Sequence, residues 1–291
     1  MTHDDALHQA RTRLDTLRQR VRFGTADLSY LAEQLEALDA LLARVEPAEK
    51  TTAPDDWMRD QAQFISHAVH ELRTPMTSIR GYADMLSSGA TGALTDMQKQ
   101  FLETIRANTR RMETLLTDVS DTSKLRAGAL YVEPKMDMVK NVALMVEKAT
   151  RPEAETATKT LTFDIPSGLP LLNVDGELLA KALTKLVENA LRYTPQENGE
   201  VTVRAEGDAT GVVITVQDNG IGMTPDEMEK LGTVYFRSDH EAVRAHKGSG
   251  LGIPVAYGIF KLLNATVSVE SAPGAGTTFQ VRLPAMASEI S

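Results

Sequence analysis

Two heptad patterns run through the first 122 residues. In the first, Leu7, Leu14, Val21, Leu28, Leu35 and Leu42 fall seven apart, with Ala10, Leu17, Gly24, Leu31, Leu38 and Val45 three residues after each. Apolar residues at both seam positions over six heptads predict a coiled coil across 1–50. Gly24 at a seam position, with Thr25 and Asp27 able to cap a new helix, leaves a helical hairpin as the alternative. Residues 50–55 read as a linker in which Pro54 stops continuous helix. In the second pattern Met58, Ile65, Leu72, Ile79 and Leu86 are seven apart, with Ala62, Val69, Met76 and Ala83 interleaved. A Ser/Gly stretch at 87–92 breaks it, and Phe101, Ile105, Asn108, Met112, Leu115, Val119 and Thr122 resume a helical stripe. Two long helices joined by a short Gly-containing loop make a helical hairpin. A lone hairpin buries one face only, so pairing of two chains into a four-helix bundle, a homodimer, is expected.

From about Gly128 the pattern alternates. Strands are expected at 129–133, 160–163, 200–205, 212–217, 266–270 and 278–283, and helices at 136–149, 176–193 and 253–263. Such a mixture predicts a two-layer α/β sandwich. The fold class is therefore multidomain, α then α/β: a coiled coil at 1–50, a dimeric helical hairpin at 51–127 and an α/β sandwich at 128–287.

Composition narrows the chemistry. A formal net charge of −9 argues against direct nucleic-acid binding, which needs a basic surface. With no cysteine in 291 residues, disulfides, thiolate catalysis and cysteine-bound zinc are excluded. No apolar run approaches the roughly 20 residues of a membrane helix, and no signal-peptide core opens the chain. The expectation is a cytoplasmic protein with no membrane segment.

Among six histidines, His70 is distinguished by its neighbours. It directly follows the seam residue Val69, which sets its ring on the flank of the hairpin, in water. A neutral imidazole nitrogen can attack phosphorus. Glu71 beside it can hold the other ring nitrogen, fix the tautomer and stabilise the developing positive charge. Pro75 should bend the helix just below, and Thr74 lies one helical turn from His70 on the same face. The run from Phe64 to Pro75, ending His70-Glu71-Leu72-Arg73-Thr74-Pro75, resembles the phosphoacceptor box of the sensor histidine kinases of two-component systems. In that family a threonine at the place of Thr74 positions the water that dephosphorylates the partner regulator.

Four further motifs, in the family's order, resemble the same family's Bergerat-fold ATP-binding domain. The first spans 185–195 and contains Asn189, Arg192 and Tyr193 on one helical face. An amide oxygen at Asn189 suits Mg²⁺, Arg192 can pair with phosphate, and Tyr193 can contact the nucleobase; Asp175 reads as the helix N-cap. The second, Asp218-Asn219-Gly220-Ile221-Gly222, follows a strand. Its carboxylate can accept from the adenine amino group while Gly220 and Gly222 let the backbone approach. The third, Lys247-Gly248-Ser249-Gly250-Leu251-Gly252, opens a helix and can present backbone N–H groups to phosphates. The fourth, 274–279, reads as a structural turn between the last strands, near the pocket only in part. The resemblance makes 223–247 a mobile lid, with Arg237, Arg244 and Lys247 as phosphate contacts.

The resemblance implies a kinase that takes the γ-phosphoryl group of ATP, with Mg²⁺, onto His70. The group then passes to an aspartate of a separate response regulator, and regulator phosphatase activity accompanies this. Two departures stand out: Lys185 where the family has Asn, and Asn264-Ala265 where it has Gly-Gly. Lys185 keeps open a second reading, a dimeric signalling scaffold whose nucleotide domain has degenerated. A third is a homologue acting mainly as a phosphatase. The regulator, the signal and the choice between phosphorylation within and between subunits stay open.

Overall fold

The computed structural model describes residues 9, 12, 13, 16, 17, 20, 34, 37, 54–89, 92–208, 210–246 and 248–284. The N-terminal heptads therefore lie almost wholly outside the described residues. Of their seam, Leu17 is helical and buried. The Arg13 guanidinium donates to the Gln34 side chain at 3.4 Å. The choice between a coiled coil and a hairpin at 1–50 lies outside the described residues.

Two compact units divide the chain, Met1–Met112 and Glu113–Ser291. In the first, helix α1 (Pro54–Ser87) and the start of α2 (Asp96–Arg126) form the expected hairpin. Pro54, read as a helix stop, is instead the first helical residue, where its missing N–H costs nothing. Helix α1 runs unbroken through Pro75. Thr95 and Gln98 cap α2 reciprocally: the Gln98 side chain accepts from Thr95 N (2.9 Å) and Thr95 Oγ1 accepts from Gln98 N (3.3 Å). Arg106 on α2 pairs with Asp84 on α1 at 2.6 Å. The interleaved line Ala62, Val69, Met76 and Ala83 is buried, with Leu102 and Thr109 of α2. Ile79, Leu86, Met97 and Phe101 stay exposed, so the hairpin covers one apolar face and leaves another.

The second unit is the α/β sandwich. After the last turns of α2 come β1 (Lys135–Asp137), α3 (Val139–Thr156), β2 (Thr160–Asp164), β3 (Leu172–Val174) and α4 (Gly176–Tyr193). Then follow β4 (Glu200–Asp208), β5 (Gly211–Asp218), α5 (Pro225–Lys230), α6 (Glu241–Ala245), α7 (Gly252–Leu262), β6 (Thr266–Ser271) and β7 (Thr277–Pro284). The main sheet has the order β2-β4-β5-β7-β6, with β2 and β4 parallel and every other pair antiparallel. Strand alternation turns Val201, Val203, Val212, Ile214, Phe279 and Val281 inward against α3, α4 and α7.

Two expectations are corrected. Residues 129–133 form no strand; pairing comes later, where β1 meets β3 with Met136 opposite Asn173. Helix α3 starts at Val139 and passes through Pro152 to Thr156 rather than ending at 149. The tertiary core decides this, since Thr150 and Ala154 beyond the expected end are buried.

Candidate functional site

His70 lies on α1, exposed, directly after the buried seam residue Val69. Glu71 and Thr74 are exposed beside it, and Thr74 Oγ1 faces the His70 carbonyl at 3.4 Å. The first unit therefore carries an accessible imidazole flanked by a carboxylate and a hydroxyl.

The remaining predicted residues, apart from Lys247, which lies outside the described residues, meet in the second unit. Helix α4 is started as expected, with Asp175 Oδ1 accepting from Leu178 N at 3.0 Å. Its last turns carry Asn189, Arg192 and Tyr193, all half-buried. The helix end is tied down by Lys159, whose ammonium donates to the carbonyls of Leu191 (2.5 Å) and Thr194 (2.9 Å). Ile221 N donates to Tyr193 O at 3.2 Å, which sets the Asp218–Gly222 turn against the helix. On the other side a Cβ at Gly248 would come within 3.7 Å of the Arg192 guanidinium, so the Gly-rich loop reaches the same place.

Asp218 ends β5 and is largely enclosed. Burial pushes its carboxyl up to about 6, against the opposing pull of the Gly220 and Thr277 N–H groups. Both of those donors use Oδ1, at 2.7 and 3.2 Å. Neither donor uses Oδ2. The fourth motif, expected as a turn near the pocket only in part, brings Thr277 N to Asp218 Oδ1. Its signal was present in the sequence as the Gly276-Thr277 pair. Gly276 has φ +79°, and a Cβ there would lie 2.0 Å from the Asp218 carbonyl. Gly222 is equally constrained, with φ +66° and Ala272 O only 1.9 Å from the place of a Cβ.

At the loop 248–252, Gly250 has φ +71° and Gly252 begins α7. The Leu251 side chain is buried in the core, which leaves its backbone to the site. The segment between the second and third motifs contains α5 and α6. Thr224 and Glu227 form a capping box at the start of α5, and Ser238 bonds the same Glu227. Arg237, expected to contact phosphate, donates to the carbonyls of Gly248 (3.0 Å), Val243 (2.6 Å) and His246. The guanidinium ties its own segment to these three carbonyls, and Arg244 pairs with Asp239 at 2.9 Å. The Tyr193 and His246 rings meet edge-on at 6.1 Å. Lys185 is the residue that sequence reasoning left unassigned. Its ammonium is 2.8 Å from Asp118 Oδ1 on α2.

Residues 60–128 match the His Kinase A (phospho-acceptor) domain family, and residues 174–287 match the histidine kinase-, DNA gyrase B- and HSP90-like ATPase family. The histidine protein kinase DivJ of Caulobacter vibrioides is 32% identical over 78% of this chain and 38% of its own length. The sensor-like histidine kinase SenX3 of Mycobacterium tuberculosis is 29% identical over 79% of this chain and 56% of its own. The chain thus spans 38% and 56% of these two relatives. In fold it is similar to a full-length ShkA solved in complex with AMPPNP, with TM-score 0.62 and 24% identity over 78% of this chain and 46% of that one. Among the described residues no helix is long and apolar enough to cross a membrane. With an acceptor domain bearing His70 followed by a Bergerat-type ATPase domain, the chain belongs to the sensor histidine kinase family.

Proposed function

We propose that this protein phosphorylates its own His70 from ATP and passes the phosphoryl group to an aspartate of a separate response regulator. The observations that carry the reading are an exposed imidazole next to Glu71 and one turn from Thr74 in one unit, and the enclosed Asp218–Thr277 contact in the other. A ring nitrogen of His70 forms the bond to the γ-phosphorus as the bond to the ADP oxygen breaks. Glu71 holds the proton on the other ring nitrogen and balances the positive charge that develops. Asp218 accepts from the adenine amino group, and Tyr193 contacts the base. Arg192, Lys247 and the N–H groups of Gly248, Gly250, Leu251 and Gly252 face the phosphates. The Asn189 side-chain oxygen would hold Mg²⁺, which would neutralise phosphate charge there. Positioning and electrostatics supply the catalysis.

The reading includes a homodimer formed on the exposed apolar line of the hairpin. It also includes a cytoplasmic site of action, where ATP is available, and a phosphatase step in which Thr74 orients water toward the phosphorylated regulator. Incubation with γ-labelled ATP and Mg²⁺ should yield label that is acid-labile and alkali-stable. His70→Gln should carry no label while still binding AMPPNP, and Asn189→Ala should lose Mg²⁺-dependent labelling. Substantial label on purified His70→Gln overturns the assignment.

A further inference from the structure

Lys185 stands one helical turn before Asn189, on the face that the nucleotide reading uses. Its aliphatic stem passes the start of the Gly-rich loop's helix, with Cδ 3.8 Å from where a Cβ on Gly252 would sit. Its ammonium, however, turns to α2. It lies 2.8 Å from Asp118 Oδ1 and 3.8 Å from Glu188 Oε2, with the Lys185 side chain 11% exposed and that of Asp118 5%. One turn earlier on α4, Lys181 reaches Asp121 at 2.5 Å. The spacing 118, 121 on α2 against 185, 181 on α4 makes an antiparallel ladder of two ion pairs. Asp118 Oδ1 and Asp121 Oδ2 are buried oxygens with no other hydrogen-bond partner among the described residues.

The surroundings are built to match. Ser120 and Thr122 are buried, and Thr122 Oγ1 donates to the Asp118 carbonyl at 2.7 Å. Leu125 packs so closely on α7 that a Cβ on Gly258 would lie 2.7 Å from its Cδ1. The last turns of α2 are thus part of the nucleotide unit's interior, while the same helix begins in the hairpin. Withdrawing Lys185 toward a phosphate would strand Asp118 as a buried, uncompensated charge. A lysine in this setting serves the carboxylate, not the nucleotide.

We propose that Lys185 is a positioning residue: with Asp118 it clamps the nucleotide-binding helix α4 to the end of α2, so that nucleotide occupancy and the seating of that helix end form one coupled equilibrium. The departure from the family's asparagine then exchanges a group beside the nucleotide for a direct link between the nucleotide helix and the last turns of α2 in the same unit. By linkage, whatever tightens nucleotide binding tightens the clamp, and displacing the helix end weakens nucleotide binding by the same factor. The coupling half of this rests on the nucleotide site proposed above; the clamp half does not.

Hydrogen exchange on the full chain tests both halves, with AMPPNP–Mg²⁺ as probe. In the nucleotide-free protein, Lys185→Asn and Asp118→Asn should each speed exchange across 113–126 by tenfold or more. The exchanged pair Lys185→Asp with Asp118→Lys should restore most of the protection. Added AMPPNP should slow exchange at 113–126 in the unaltered protein and have no effect there in either single variant, although both still bind it. Lys181→Ala, at the half-exposed end of the ladder, should produce the same changes in weaker form without unfolding the unit. Unchanged exchange at 113–126 in all variants overturns the clamp. Lys185→Asn that loses AMPPNP affinity but not adenosine affinity, with exchange unaltered, would make Lys185 a phosphate ligand and overturn it too. If the unaltered protein fails to bind AMPPNP, the nucleotide reading and the coupling fall together, and the nucleotide-free comparison still decides the clamp.

Discussion

Replacing Asp218 by Asn should stabilise the nucleotide unit and destroy its adenine site at one stroke. The carboxyl is pushed up to about 6 from an ordinary 3.8, with burial as the largest cause. The shift of about two units corresponds to roughly 3 kcal/mol at 1.36 kcal/mol per unit. The sign follows from linkage: the folded state holds this proton more tightly than the unfolded chain does. Ionised Asp218 therefore destabilises the fold above about pH 6, and that loss is recovered as pH falls from 6 toward 3.8. Asparagine keeps an oxygen to accept from the Gly220 and Thr277 N–H groups but buries no charge. Its amide NH₂ would then face the adenine amino group, donor against donor. At pH 8, Asp218→Asn should raise the unfolding free energy of the nucleotide unit by about 1–3 kcal/mol, measured by denaturant titration. The advantage should shrink to nothing near pH 4, and AMPPNP affinity should fall at least a hundredfold. A variant less stable than the parent at pH 8, or one that binds AMPPNP normally, would refute the account of Asp218 as a buried adenine acceptor.

Tyr82 and Met85 are exposed below His70 on α1, at 68% and 54%, where a bundle alone would favour charge. The double variant Tyr82→Ala, Met85→Ala should slow phosphotransfer to the regulator while sparing His70 labelling, and equal loss of both would assign these residues to the bundle. Phe101→Asp places a charge on the uncovered apolar line of the hairpin and should shift the dimer toward monomer at micromolar concentration in sedimentation. Deleting 1–50 should leave the dimer intact in the same assay; a monomeric product would show the hairpin interface to be insufficient. Gly222→Ala forces a Cβ into the Ala272 carbonyl at positive φ and should cost at least 1–3 kcal/mol of stability together with AMPPNP binding. Normal melting and binding in that variant would refute the close backbone approach.

Much of this protein is legible in the order of its residues because the decisive signals are local. Helix α4 follows from a 3.6-residue apolar stripe closed at one end by Asp175, and the structure starts it at the expected residue with the expected cap. The seam of α1 places His70 beside Val69 and hence in water, since one helical position decides the face. Strands β4 and β7 announce themselves by alternation, and β5 by its β-branched run from Val212 to Val216. What tertiary structure decided alone depends on contacts with no local period. Strands β1 and β3 have three residues each, too few for alternation to register, and exist because each pairs the other. Pro152 would end an isolated helix, yet buried Ala154 beyond it holds α3 together. Gly276-Thr277 marks a turn in the sequence, but its contact with Asp218 exists only because β5 and β7 pair Asp218 with Thr277. Arg237 turns to its own chain because the fold offers it three carbonyls. Lys185 reads as a damaged motif until α2 brings Asp118 to within 2.8 Å of it. The charge of a side chain is written locally, but the partner that gives it a role is chosen by the fold.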